Sequence, residues 1–96
     1  MFLHVTKAKY IKDYQIEISF NNGWKGIADL SKVLKGPVFD PLKDQSLFAK
    51  LTLDQELATI VWPNGVDLAP EYLFFQTFKD APEWQEQYKE WGYSSN

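Results

Sequence analysis

Tyr14, Ile16, Ile18 and Phe20 alternate strictly with Gln15, Glu17 and Ser19, and Asn21-Asn22-Gly23 follows at once. Alternation of period two puts the large apolar side chains on one face of a strand and the polar ones on the other, so one face needs a cover and the other meets water. Asn and Gly tolerate positive φ, and the tripeptide therefore reverses the chain into a strand from Trp24 to Asp29. The partly alternating Leu3 to Tyr10 supplies a third strand, and the three form an antiparallel meander.

Farther along, Asp29-Leu30-Ser31 to Leu34 reads as a single helical turn stopped by Gly36-Pro37. Val38 to Leu42 reads as irregular, and Asp44 as the cap of a short helix through Ala49. Leu51 to Leu53 and Ala58 to Trp62 flank the polar turn Asp54-Gln55-Glu56, which makes a second hairpin whose apolar last strand is expected to be central. Pro70 suits the first position of a helix running to Phe75. Asp80, Pro82 and Glu83 give a cap-like start to a last helix of about three turns, which Gly92 stops. Trp84, Tyr88 and Trp91 form one stripe along it.

The fold class expected is α+β: one twisted antiparallel sheet of about five strands, short helices on one face, and a carboxyl-terminal aromatic helix. One domain spans 1–96, with a core of Ile16, Ile18, Phe20, Ile27, Leu47, Phe48, Leu51, Ile60 and Trp62. With 45% apolar and 24% charged residues the chain has the composition of a globular protein. The absence of Cys removes disulfides, thiol catalysis and thiolate zinc sites, and His4 is the lone imidazole. No cofactor is expected. The first residues lack a basic start followed by an apolar run, and no stretch is long enough to cross a bilayer, so a cytoplasmic protein is expected.

Gly36-Pro37-Val38-Phe39-Asp40-Pro41-Leu42-Lys43-Asp44, Leu47-Phe48-Ala49 and the run from Ile60 through Trp62-Pro63-Asn64-Gly65 to Leu68 resemble a small bacterial family, domain-of-unknown-function family 2442. Asp13-Tyr14 and Asp29-Leu30-Ser31 extend the resemblance, which takes in roughly residues 3–73 and leaves 74–96 as an extension. It implies a compact α+β domain, found alone or beside a DNA-binding domain, with no established activity. Some members sit near genes suspected to form toxin–antitoxin pairs. Ala69 stands where similar sequences often carry a polar cap, which implies a helix start weaker by about 1 kcal/mol.

Asp29, Asp40, Asp44 and Asp67 lie near expected loops, and two of them with a divalent ion would make a metal-assisted hydrolase. Each also has a local backbone partner in prospect, which argues for structure over catalysis. His4 could act as a general base, yet no nucleophile or orienting group is apparent. Lys7, Lys9, Lys12 and Lys25 near Tyr10 and Trp24 could neutralise phosphates and stack bases. The lack of Arg and a net charge of −3 argue against nucleic acid.

Aromatic residues make up 17% of the chain, more ring surface than so small an interior is expected to hide. That excess favours a non-catalytic protein-interaction module with an unidentified protein partner; the family resemblance, rather than these residues, implies an accessory or antitoxin-like protein and offers the product of a neighbouring gene as one candidate for that partner. Its contact residues are expected to be Trp62, Asn64, Asp67, Trp84, Tyr88 and Trp91. The last helix either folds back over the sheet or fills a partner's groove, and its exchange between two copies would give a homodimer.

Overall fold

The computed structural model describes residues 2–93. Strands β1 (Val5–Lys12), β2 (Gln15–Phe20) and β3 (Lys25–Asp29) form an antiparallel sheet in that spatial order. The first strand starts two residues later than expected and runs on to Lys12, where Asp13 takes a left-handed φ of 49° to turn the chain. The second turn is as read: Gly23 has φ of 88°, and the Trp24 N–H donates to Asn22 Oδ1 over 3.0 Å. Pairing of Ile18 with Ala8 and Gly26, and of Ile16 with Tyr10 and Ala28, fixes a single inner face. Ile16, Ile18 and Phe20 are buried on it, and Glu17 is exposed on the other.

Strands β4 (Thr52–Asp54) and β5 (Thr59–Val61) form a separate two-stranded sheet, so the expectation of about five strands in one sheet is corrected. The two sheets meet where the Val5 N–H donates to the Ala58 carbonyl over 2.9 Å. Pairing stops there because β1 is irregular between Val5 and Lys7. A bulge sharpens the local twist and turns the edge away from the neighbouring hairpin. On its far side β5 makes one bridge, Val61 with Asp67, rather than lying centrally in a wide sheet.

Between the sheets, Asp29 to Leu34 forms tight turns instead of the helical turn expected, with the Val33 N–H bonded to the Leu30 carbonyl. A 3-10 turn at Asp40–Lys43 leads into α1 (Gln45–Phe48), capped as expected by Asp44, whose carboxylate accepts the Ser46 N–H. Helix α2 (Pro70–Thr77) starts at Ala69 with no side-chain cap and packs against β3 on the inner face. Gly26 permits that approach: a Cβ there would sit 2.9 Å from both Phe78 Cε1 and Thr77 Cγ2. The last helix is shorter than expected, a 3-10 turn at Pro82–Trp84 followed by α3 (Gln85–Trp91), with Gly92 left-handed at its end. Asp80 does not cap it; Gln85 Nε2 bridges the Lys79 and Ala81 carbonyls instead.

Ring-to-ring contact fills the interior. Phe20, Trp24, Phe74, Phe78 and Trp84 form one network, in which Phe74 lies 4.7 Å from both Phe78 and Trp84 between ring centroids. Tyr10, Tyr14, Phe48 and Trp62 form another. Ile27, expected in the core, is 54% exposed, because its register opposite Glu17 puts it on the outer face.

Candidate functional site

Trp62 and Tyr88 do not reach the surface, which corrects their expected place in a contact patch. Trp62 is 2% exposed, and its indole N–H donates to the Phe48 carbonyl over 2.9 Å, tying β5 to α1. Tyr88 is completely buried; its hydroxyl donates to the Phe78 carbonyl over 2.7 Å, and burial, aided by the charge of Glu83, pushes its pKa up to about 12. Trp84 and Trp91 are half-buried against Phe74, so the last helix folds back. The buried Trp84 Nε1 has no acceptor among the described residues. Asn64 and Asp67 are exposed, with Asn64 Oδ1 accepting the Val66 N–H in the turn after Trp62. The six residues therefore do not share one face: two are interior, two flank α2, and two lie on the loop after β5.

Of the four aspartates, Asp29, Asp40 and Asp44 engage local partners through their carboxylates, and Asp67 through its backbone alone. Asp29 Oδ1 accepts the Ser31 N–H over 3.0 Å, and that bond leads the effects holding its carboxyl below the usual value. Asp44 is lowered chiefly by the Ser46 hydroxyl, 2.7 Å away, and by the Ser46 N–H. Asp40 pairs with Lys43 at 3.1 Å, and Asp67 bridges to Val61 through its backbone. Exposed His4 is tied by its main chain to Asn21, which also donates to the Phe2 carbonyl. Among the described residues no three His, Asp or Glu side chains come together.

The outer face of the three-stranded sheet gathers side chains instead. Lys7, Ala8, Lys9, Glu17, Ser19 and Lys25 line an open depression of about 340 Å³. The pairings Lys7 with Ser19 with Lys25, and Lys9 with Glu17 with Ile27, order these groups in two rows across the strands. Tyr10 and Trp24 point the other way, into the aromatic networks, so the anticipated combination of lysines with stacking rings is not formed. A second depression of about 230 Å³, lined by Asp29, Ser31, Lys32, Gln76 and Lys79, lies between the end of β3 and α2. Sequence reasoning missed Ile27 as a surface residue. The signal was strand parity: Trp24, Gly26 and Ala28 share one face, which sends Lys25, Ile27 and Asp29 to the other.

Among the described residues no helix is long and apolar enough to cross a membrane. No curated protein matches the chain. A solved structure with a similar fold is that of Putative DNA Binding Protein NE0471 from Nitrosomonas europaea, with a TM-score of 0.73 at 15% identity. The likeness covers 97% of this chain and 63% of that one, so at this identity it speaks to the fold over less than two thirds of the other protein. The model of a family described as proteins of unknown function, DUF2442, matches residues 5–79, and this chain belongs to that family.

Proposed function

We propose that the domain is a non-catalytic protein-interaction module that binds an acidic partner surface through the outer face of its three-stranded sheet. The observation that carries this reading is the gathering of Lys7, Lys9 and Lys25 around one shallow depression, in a chain whose formal charge is −3. A broad, open hollow with lysines at its rim and Ile27 beside it suits a macromolecular surface better than a small substrate, which prefers a deep apolar cleft. As an accessory protein it occludes a companion's surface, the product of a neighbouring gene being the first candidate. Half-buried Trp91 on the last helix, and exposed Asn64 and Asp67 on the loop after β5, are the competing contacts at two separate places.

The test is co-purification with that product from native cells. Lys7→Glu combined with Lys9→Glu and Lys25→Glu should abolish capture, and capture by the wild type should weaken as salt rises, because exposed charges are screened beyond about 10 Å at 0.1 M. Trp91→Ala combined with Asp67→Ala should leave capture intact. The reverse pattern would transfer the site to the last helix and the loop after β5.

A second reading, binding to nucleic acid phosphates, draws on the same lysines and on the name of the structurally similar protein. With Tyr10 and Trp24 turned inward, such binding would be almost wholly electrostatic. Three phosphate contacts predict a slope of roughly −3 for log affinity against log salt on duplex DNA. Fluorescence anisotropy reads it directly.

A further inference from the structure

We propose that the outer edge of β3 pairs with β3 of a second copy of the chain, joining two three-stranded sheets into one six-stranded sheet around a two-fold axis at Ile27.

The argument begins with where the backbone groups of β3 point. The Phe20 N–H donates to the Trp24 carbonyl and the Leu30 N–H to the Tyr14 carbonyl. In an antiparallel ladder such bonded pairs recur at every second residue, so between these ends Gly26 and Ala28 bond to β2 through their partners Ile18 and Ile16. The N–H and C=O groups of Lys25, Ile27 and Asp29 therefore face away from β2, and among the described residues β3 is paired with β2 alone. The register of β2 with β3 is continuous, whereas β1 at the opposite edge is irregular at two places and is partly occupied by Ala58. Folded proteins usually blunt an open edge with a bulge, a proline or charged side chains, lysine above all; the run Lys25-Gly26-Ile27-Ala28-Asp29 has no bulge and no proline, and its two charges, Lys25 and Asp29, are opposite in sign, so they repel unrelated edges less than they complement a second copy.

Charge complementarity selects the occupant. An antiparallel pairing centred on Ile27 sets Ile27 against its own copy and Lys25 of each chain against Asp29 of the other. These are the residues whose main-chain groups face outward, so each opposed pair exchanges both of its backbone bonds. Their side chains lie together on the outer face, where directly opposed apolar pairs and opposite charges both stabilise. Ile27, 54% exposed in the single chain, gains a cover. On the inner face, Gly26 of one copy faces Ala28 of the other, the smallest pair available beneath the ends of the two α2 helices.

Sedimentation velocity from micromolar to millimolar protein tests the pairing. Wild type should move with concentration from 11.2 kDa toward twice that mass. Ile27→Pro should stay monomeric with an unchanged far-ultraviolet spectrum, because the N–H it removes faces away from β2 and proline is tolerated on such an edge. Should that variant unfold, charge exchange answers independently. Lys25→Asp and Asp29→Lys should each be monomeric alone and associate when mixed, and the chain carrying both should again self-associate. A wild type that stays at monomer mass at millimolar concentration, or a folded Ile27→Pro chain that still dimerises, overturns the proposal. Neither result depends on the lysine-rich face binding a partner, which the co-purification reads separately.

Discussion

Gly26 shows how one missing methyl sets the distance between a strand and a helix. Thr77 Cγ2 cannot retreat freely, because its hydroxyl donates to the Leu73 carbonyl over 2.6 Å, and the Phe78 ring is held 5.0 Å from Trp24 between centroids. An added Cβ at 2.9 Å from both atoms must therefore displace the end of α2. Gly26→Ala is expected to destabilise the domain by about 1–3 kcal/mol, the usual range for overpacking, and urea unfolding measures it. An unchanged midpoint would mean that Thr77 and Phe78 can move aside at little cost. Sequence shows that Gly26 stands in a strand, yet its reason lies in a helix some fifty positions later, which no local pattern reports. Ile27 is the converse case: its apolar character suggests the interior, and strand parity overrules it.

At the scale of elements, α3 is held by Tyr88 more than by its caps. The helix has no side-chain cap at its start, and Gly92 closes its end. Tyr88→Phe removes the bond to the Phe78 carbonyl and is expected to cost about 1 kcal/mol. The same substitution should alter the alkaline limb of stability. With its pKa raised from 10.0 to about 12, the folded state favours the neutral phenol, a contribution fully present below pH 10 and lost as pH rises toward about 12. Denaturation across that range should show a decline in the wild type that is shallower in Tyr88→Phe. Tyr88 and Trp91 were legible on a helix face, although Trp84 falls in the 3-10 turn before it; so were the turn at Gly23, the Asp44 cap and the Gly92 stop, because each rests on residues within one turn of each other, whereas the second hairpin turn also takes in Ala58, left-handed at φ of 56° rather than the start of a strand. Whether the second hairpin joins the first sheet was not legible, since it depends on the irregularity of β1 at Val5 and on contacts more than fifty residues apart. The contact patch differs from the expectation for a related reason. Ring content suggests a surplus at the surface, whereas the rings pack edge to face with one another inside.

Over the whole molecule, charge is unevenly placed. The outer sheet face carries Lys7, Lys9 and Lys25 with Glu17 and Asp29 among them, while the exposed acids Glu83, Glu86 and Glu90 belong to the helical end of the chain. Acid should weaken the fold through Asp29 and Asp44. Both carboxyls are held below their ordinary value of 3.8, so their contribution is complete above that value and is lost as pH falls through the lower folded one. Asp44→Asn keeps a capping side chain but removes the titration, and should leave the neutral-pH midpoint nearly unchanged while flattening the decline below about pH 4. Urea midpoints between neutrality and strong acid check this. Tyr88 near the end of the described chain is sealed inside, and Val5 near its start is clasped by Ala58. During synthesis the first strand thus waits for the middle of the polypeptide and the aromatic network waits for its last helix. Trp24 stays open to water until Phe74, Phe78 and Trp84 have followed it out of the ribosome, and ring surface exposed for that long is what chaperones grip.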